Sequence, residues 1–110
     1  MDDRELLELA AKAARIKITG WGKPDYYSHQ EGEVAYVGGF EWNPLTDDGD
    51  ALRLVIDLLL AAWTYDEEVE IGVPGGNQGL RILEPYNGDP YAATCRAIVR
   101  AAAEIGRAMK

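Results

Sequence analysis

The sequence predicts an α/β (α+β) domain, an α-β-α sandwich around one four-stranded antiparallel sheet with the element order α-β-β-α-β-β-α. Three observations lead there. Helical apolar spacing recurs near the start, in the middle and at the end of the chain. Short alternating segments fall in pairs between those stretches, as hairpins do. A length of 110 residues suits a single domain, so residues 1–110 are read as one core. Two hairpins joined through a helix make one sheet, and helices on both faces would bury it.

Each element follows from local chemistry. From Asp3 to about Ala14 the chain is rich in strong helix formers, with Leu6, Leu9, Ala10 and Ala13 on one stripe. Asp2 or Asp3 can cap it. Arg15 to Thr19 alternates charged and β-branched residues as a half-buried strand, and Gly20-Trp-Gly ends it. Residues 20–33 hold three glycines, a proline and several aromatics, which reads as a long loop. Val34 to Val37 is a second strand, broken by Gly38-Gly39.

Pro44 followed by Thr46 or Asp47 sets up a helix start. The predicted second helix runs to about Ala62 and carries the widest apolar stripe, Leu52, Val55, Ile56, Leu59, Leu60 and Trp63. That stripe is expected to form the core. Val69, Ile71 and Val73 alternate with polar residues, as do Leu80 and Ile82 beyond the turn Gly75 to Gly79, giving a hairpin. Asp89 and Pro90 then open the last helix, whose stripe is Cys95, Ile98, Ala102, Ile105 and Met109.

With 47% hydrophobic and 27% charged residues, the composition is that of a folded globular chain. The net charge of −8 opposes the counterion release that drives nucleic-acid binding, so no direct nucleic-acid contact is expected. The balance is uneven. Residues 1–88 carry seventeen acids and seven bases, whereas residues 89–110 carry two acids and four bases. A single cysteine makes no internal disulfide, which fits the cytoplasm of a cell. The charged opening is unlike a signal peptide, and the apolar run Leu58 to Trp63 is too short for a membrane span.

Three segments carry a resemblance: Asp3-Arg-Glu-Leu-Leu-Glu-Leu-Ala-Ala-Lys-Ala-Ala, Trp42-Asn-Pro-Leu-Thr-Asp-Asp-Gly-Asp-Ala-Leu-Arg-Leu, and Ala93 to Met109. Together they make roughly half of the chain similar to the phage ABA-sandwich proteins, short products of bacteriophages and prophages. The resemblance implies the α-β-α fold and a phage origin, and it transfers no catalytic residue.

Ordinary structural roles account for several candidate sites. Asp47, Asp48 and Asp50 read as helix-start residues rather than metal ligands, since their spacing does not fit a calcium loop. The turn Gly72 to Gly79 lacks the Gly-Lys-Ser/Thr ending of a phosphate loop. His29 has no orienting partner in the sequence, and Cys95 falls on an apolar stripe, so no catalytic residue, metal or cofactor is expected.

The candidate binding residues are the loop aromatics Trp21, Tyr26 and Tyr27 with Lys23, the acidic run Asp66, Glu67 and Glu68, and the pair Arg96 and Arg100. Aromatics anchor interfaces, acids steer toward basic partners, and two arginines four apart can hold a phosphate or carboxylate. The expected function is non-enzymatic: a binding protein that inhibits a host antiviral defence complex with a basic surface. The alternative is a sponge for a nucleotide signal, held between aromatics and arginines. A homo-oligomer is compatible with either, and a small enzyme is the least supported reading.

Overall fold

The computed structural model describes residues 1–23, 33–73 and 80–109. It is a mixed α+β domain of three helices and two three-stranded antiparallel sheets. The elements are α1 (Asp3–Ala14), β1 (Gly20–Gly22), β2 (Val34–Val37), β3 (Phe40–Trp42), α2 (Asp48–Asp57), β4 (Ala61–Thr64), β5 (Glu68–Gly72), β6 (Arg81–Pro85) and α3 (Pro90–Ala108). The sheets have the orders β1-β2-β3 and β4-β5-β6. This corrects the expected single four-stranded sheet and the order α-β-β-α-β-β-α. Among the described residues no helix is long and apolar enough to cross a membrane.

Helices α1 and α3 form the central pair. Ala10, Ala11, Ala97, Ala101, Ala102 and Ala103 are all buried, and small side chains let two helices approach closely. Lys12 Nζ donates to the Met109 carbonyl at 2.9 Å, satisfying an acceptor at the end of α3. Both helix starts are capped as the sequence indicates. Asp2 accepts from Glu5 N–H and Asp89 from Ala92 N–H, with Pro90 in the first turn of α3.

Three departures from the sequence reading have physical causes. The segment expected as a first strand begins with Arg15 at φ 59, the left-handed cap of α1. Ile16 N–H is spent on the Ala11 carbonyl, so the ladder starts only where Thr19 N–H meets the Tyr36 carbonyl, beside β1. Gly38 and Gly39, read as a break, are a turn with φ 59 and 90 that folds β3 back on β2. Positive φ at both central residues matches the twist of a two-residue hairpin.

The largest correction concerns the second helix. It ends at Asp57, Leu59 adopts φ 56, and Ala61–Thr64 pairs with β5 as β4. The buried stripe is Ala51 and Leu54, flanked by half-buried Val55 and Leu58, a helical repeat beside the expected one. Leu52, Ile56, Leu59 and Trp63 are instead exposed, Leu59 at 76% and Ile56 at 62%. Ladder pairing with β5 overrides the helical propensity of this run.

The second sheet lays Val69, Ile71 and Ile82 against α3, with Val73 also buried. Its opposite face does not become the middle of a sandwich, because Trp63, Tyr65 and Leu83 there remain exposed.

Candidate functional site

Three surface depressions hold candidate residues. The first lies between the start of α1, β1, the 43–46 turn and the start of α3. It is a cleft of about 560 Å³ lined by Arg4, Trp21, Glu33 and Arg96 among others. Pairing with Ala35 fixes Trp21 in β1, and its half-buried ring packs on the core. The Arg4 guanidinium stacks 4.5 Å from the Trp21 centroid. Arg4 Nε also bonds Glu8 at 3.1 Å, and its Nη1 bonds Glu33 at 2.8 Å. Arg96 Nη2 reaches Asp3 at 3.3 Å. Trp21 and Arg96 thus meet in one cleft, and Arg4 is a cleft residue that sequence reasoning missed. Its only sequence signal was a first-turn arginine four residues before Glu8.

Arg96 and Arg100 line a third depression, of about 400 Å³, together with Glu84, Glu104 and Arg107, and each is bonded to a different carboxylate, Arg96 to Asp3 and Arg100 to Glu84. Arg100 Nη1 bonds Glu84 at 2.5 Å, and Arg107 lies 3.7 Å from Glu104. The basic side of α3 is therefore a set of internal ion pairs. Exposed pairs of this kind contribute little to stability, so Arg4 and Arg96 could exchange a carboxylate for a ligand anion. Lys23 is exposed, and its carbonyl accepts from Tyr36 Oη at 2.6 Å. Tyr26, Tyr27 and His29 lie outside the described residues, as does the turn 74–79.

The second depression is on the outer face of the β4-β5-β6 sheet. The turn between β4 and β5 presents Asp66 and Glu67, closed by Tyr65 N–H donating to the Glu68 carbonyl at 2.9 Å. Asp66, Glu67, Glu68 and Glu70 line a groove of about 800 Å³ with Thr64, Tyr65 and Leu83. Tyr65 is 51% and Leu83 52% exposed. Neighbouring Trp63 lies flat over Gly72, where a Cβ would stand 3.0 Å from the Trp63 ring. Arg81 holds the other side: its Cζ is 5.4 Å from that ring, and its Nη1 bonds Glu70 at 2.5 Å. Trp63, Tyr65 and Leu83 were missed as surface residues, because Trp63 fell on the apolar period assigned to the helix.

The remaining candidates have structural roles. Asp47 caps α2 by accepting from Asp50 N–H at 2.8 Å. Asp50 accepts from Asn43 N–H at 2.9 Å, and burial pushes its carboxyl above the ordinary range, with Asp47 adding repulsion. Cys95 is buried and its Sγ donates to Asp48 Oδ1 at 3.3 Å. Burial first, then that bond to an acid, push the thiol up to about 12, so it stays protonated at neutral pH. Neither a family model, nor a curated protein, nor a solved structure matches the chain.

Proposed function

We propose that this chain is a non-enzymatic binding protein that engages a basic protein surface through the outer face of the β4-β5-β6 sheet. The observation that carries the reading is one groove that combines exposed Tyr65 and Leu83 with Asp66, Glu67, Glu68 and Glu70. Exposed aromatic and aliphatic anchors supply contact area, while the acids steer a positively charged partner into register. With an overall charge of −8 the chain repels nucleic acid and attracts proteins that bind it. Taken with the resemblance to small bacteriophage proteins, this makes a nucleic-acid-handling defence complex of a bacterial host the partner class, met in the host cytoplasm.

The test is affinity capture from bacterial lysate with the wild-type chain and with Asp66→Lys, Glu67→Lys and Glu68→Lys combined, read by quantitative mass spectrometry. A partner with a basic surface that is held by the wild type and lost by the triple variant supports the reading. Equal capture by both chains overturns it.

A second reading is favoured by the Trp21 cleft, where a ring and two arginines converge. A nucleotide could lie against this wall with its phosphate between Arg4 and Arg96. Release of a nucleotide on denaturing the purified protein would support that reading.

A further inference from the structure

On the outer face of the β4-β5-β6 sheet one guanidinium, that of Arg81, is already clamped. Trp63, Glu70 and Leu83 stand in one row across the three strands, and Gly72 pairs with Arg81 in the row behind. Arg81 reaches diagonally out of its row: Nη1 bonds Glu70 at 2.5 Å, and Cζ lies 5.4 Å from the Trp63 ring. The Glu70 side chain is only 12% exposed, and a carboxylate so far withdrawn from water needs a partner.

Two residues along, toward the β4–β5 turn, the same pattern recurs without a cation. Tyr65 N–H bonds the Glu68 carbonyl at 2.9 Å, so an aromatic residue again stands across from a glutamate. The position that corresponds to Arg81 is Leu83, paired with Glu70 as Arg81 is with Gly72. Tyr65, Glu68 and Leu83 line one groove, with Tyr65 and Leu83 exposed. Among the described residues no lysine or arginine pairs with Glu68, or with Asp66 and Glu67 beside it. The two units differ in one respect. Where the first has Gly72, the second has Glu70, which adds a further carboxylate.

We propose that the Tyr65–Glu68 unit takes an arginine side chain of the partner protein, as the Trp63–Glu70 unit takes Arg81. This rests on the reading of the face as the surface for a basic partner, and it names the residue that anchors there. A guanidinium is planar and weakly hydrated, so it can stack on Tyr65 and pack on Leu83 while its N–H fork meets the Glu68 carboxylate. A lysine ammonium answers the charge alone, as a strongly hydrated point, and gains less from the ring and the leucine. Asp66 and Glu67 attract either cation alike.

Titration calorimetry with oligo-arginine and oligo-lysine peptides of equal length and charge isolates the choice of cation. The wild type is expected to bind the arginine peptide about tenfold more tightly than the lysine peptide. Tyr65→Ala and Glu68→Gln should each bring that ratio close to one, and Tyr65→Phe, which keeps the ring, should preserve it. Leu83→Arg moves the Arg81 arrangement two residues along β6, so the chain's own guanidinium competes for Tyr65 and Glu68. The preference for arginine should then disappear. Leu83→Lys adds the same charge without the planar group and should retain the preference. Circular dichroism checks that these variants are folded.

Equal affinity of the wild type for the two peptides overturns the proposal. So does binding of neither peptide, or a preference that survives Tyr65→Ala and Glu68→Gln. Equal affinity that falls for both peptides in the chain with Asp66→Lys, Glu67→Lys and Glu68→Lys refutes the arginine clamp and leaves the basic-partner reading standing. That reading fails separately, by equal capture from lysate. Should Leu83→Arg not fold, Tyr65→Ala and Glu68→Gln alone decide.

Discussion

Gly106 of α3 sits directly on the Leu9 backbone of α1: a Cβ at position 106 would stand 2.0 Å from the Leu9 carbonyl oxygen and 2.8 Å from its carbon. The two helices that form the centre of the molecule therefore cross at a point where only hydrogen fits.

Gly106→Ala consequently reverses the usual sign of a glycine-to-alanine change in a helix. Alanine normally gains about 1 kcal/mol in a helix interior. Here the obstacle is backbone, which cannot swing aside, and overpacking costs of about 1–3 kcal/mol or more are expected. Chemical denaturation should show a lower midpoint for Gly106→Ala, and a raised midpoint would mean that α1 and α3 do not cross there.

Leu54 and Leu59 separate the observed core from the one suggested by periodicity. Leu54 is 1% exposed, so Leu54→Ala should cost about 2–5 kcal/mol. Leu59 is exposed, and Leu59→Ala should change stability by less than about 0.5 kcal/mol. Thermal melts of the two variants giving the opposite order would restore the longer second helix.

That helix shows how far the sequence can be read. Both helices of the central pair were legible to their caps, because Asp2, Asp89 and Pro90 act through neighbours a few residues away. The β5–β6 hairpin was legible because strict alternation marks a sheet with one face buried. The run from Leu52 to Trp63 supports two adjacent apolar stripes, and the choice between them is made by β5 and α3, far away in the chain. A strand inside a helix-forming segment leaves no local mark. The same limit hid the groove. Asp66, Glu67 and Glu68 were visible as an acidic run, but Leu83 joins it only through strand pairing with Glu70.

Cys95 gives a chemical test of the α2–α3 contact. With its thiol held up near 12 by burial and Asp48, alkylation at about pH 8 should run roughly a thousandfold slower in the folded chain than in denaturant. The sign is that of a raised pKa: the contribution of Cys95 to stability is fully present below its ordinary value and is lost as pH rises through the folded value. Equal alkylation rates in folded and unfolded chains would place Cys95 on the surface.

Asp50 also has a raised pKa, chiefly from burial. Its protonated form is favoured by folding, so its contribution is fully present below the ordinary carboxyl value and is lost as pH rises through the folded one. Asp50→Asn keeps an acceptor for Asn43 N–H without the buried charge. Its melting temperature should equal or exceed that of wild type at neutral pH, and the gap should close below about pH 4. A variant markedly less stable at neutral pH would show that the charge itself supports the turn.

The acidic groove is tested most directly by association kinetics with the captured partner, measured against ionic strength. Wild type should associate fast at low salt and slow steeply as salt screens Asp66, Glu67 and Glu68. The triple lysine variant should associate at least about tenfold more slowly at low salt, with little or inverted salt dependence, while Tyr65→Ala and Leu83→Ala should act mainly on dissociation. Identical association rates and salt slopes for wild type and triple variant would contradict the assignment of this face as the binding surface.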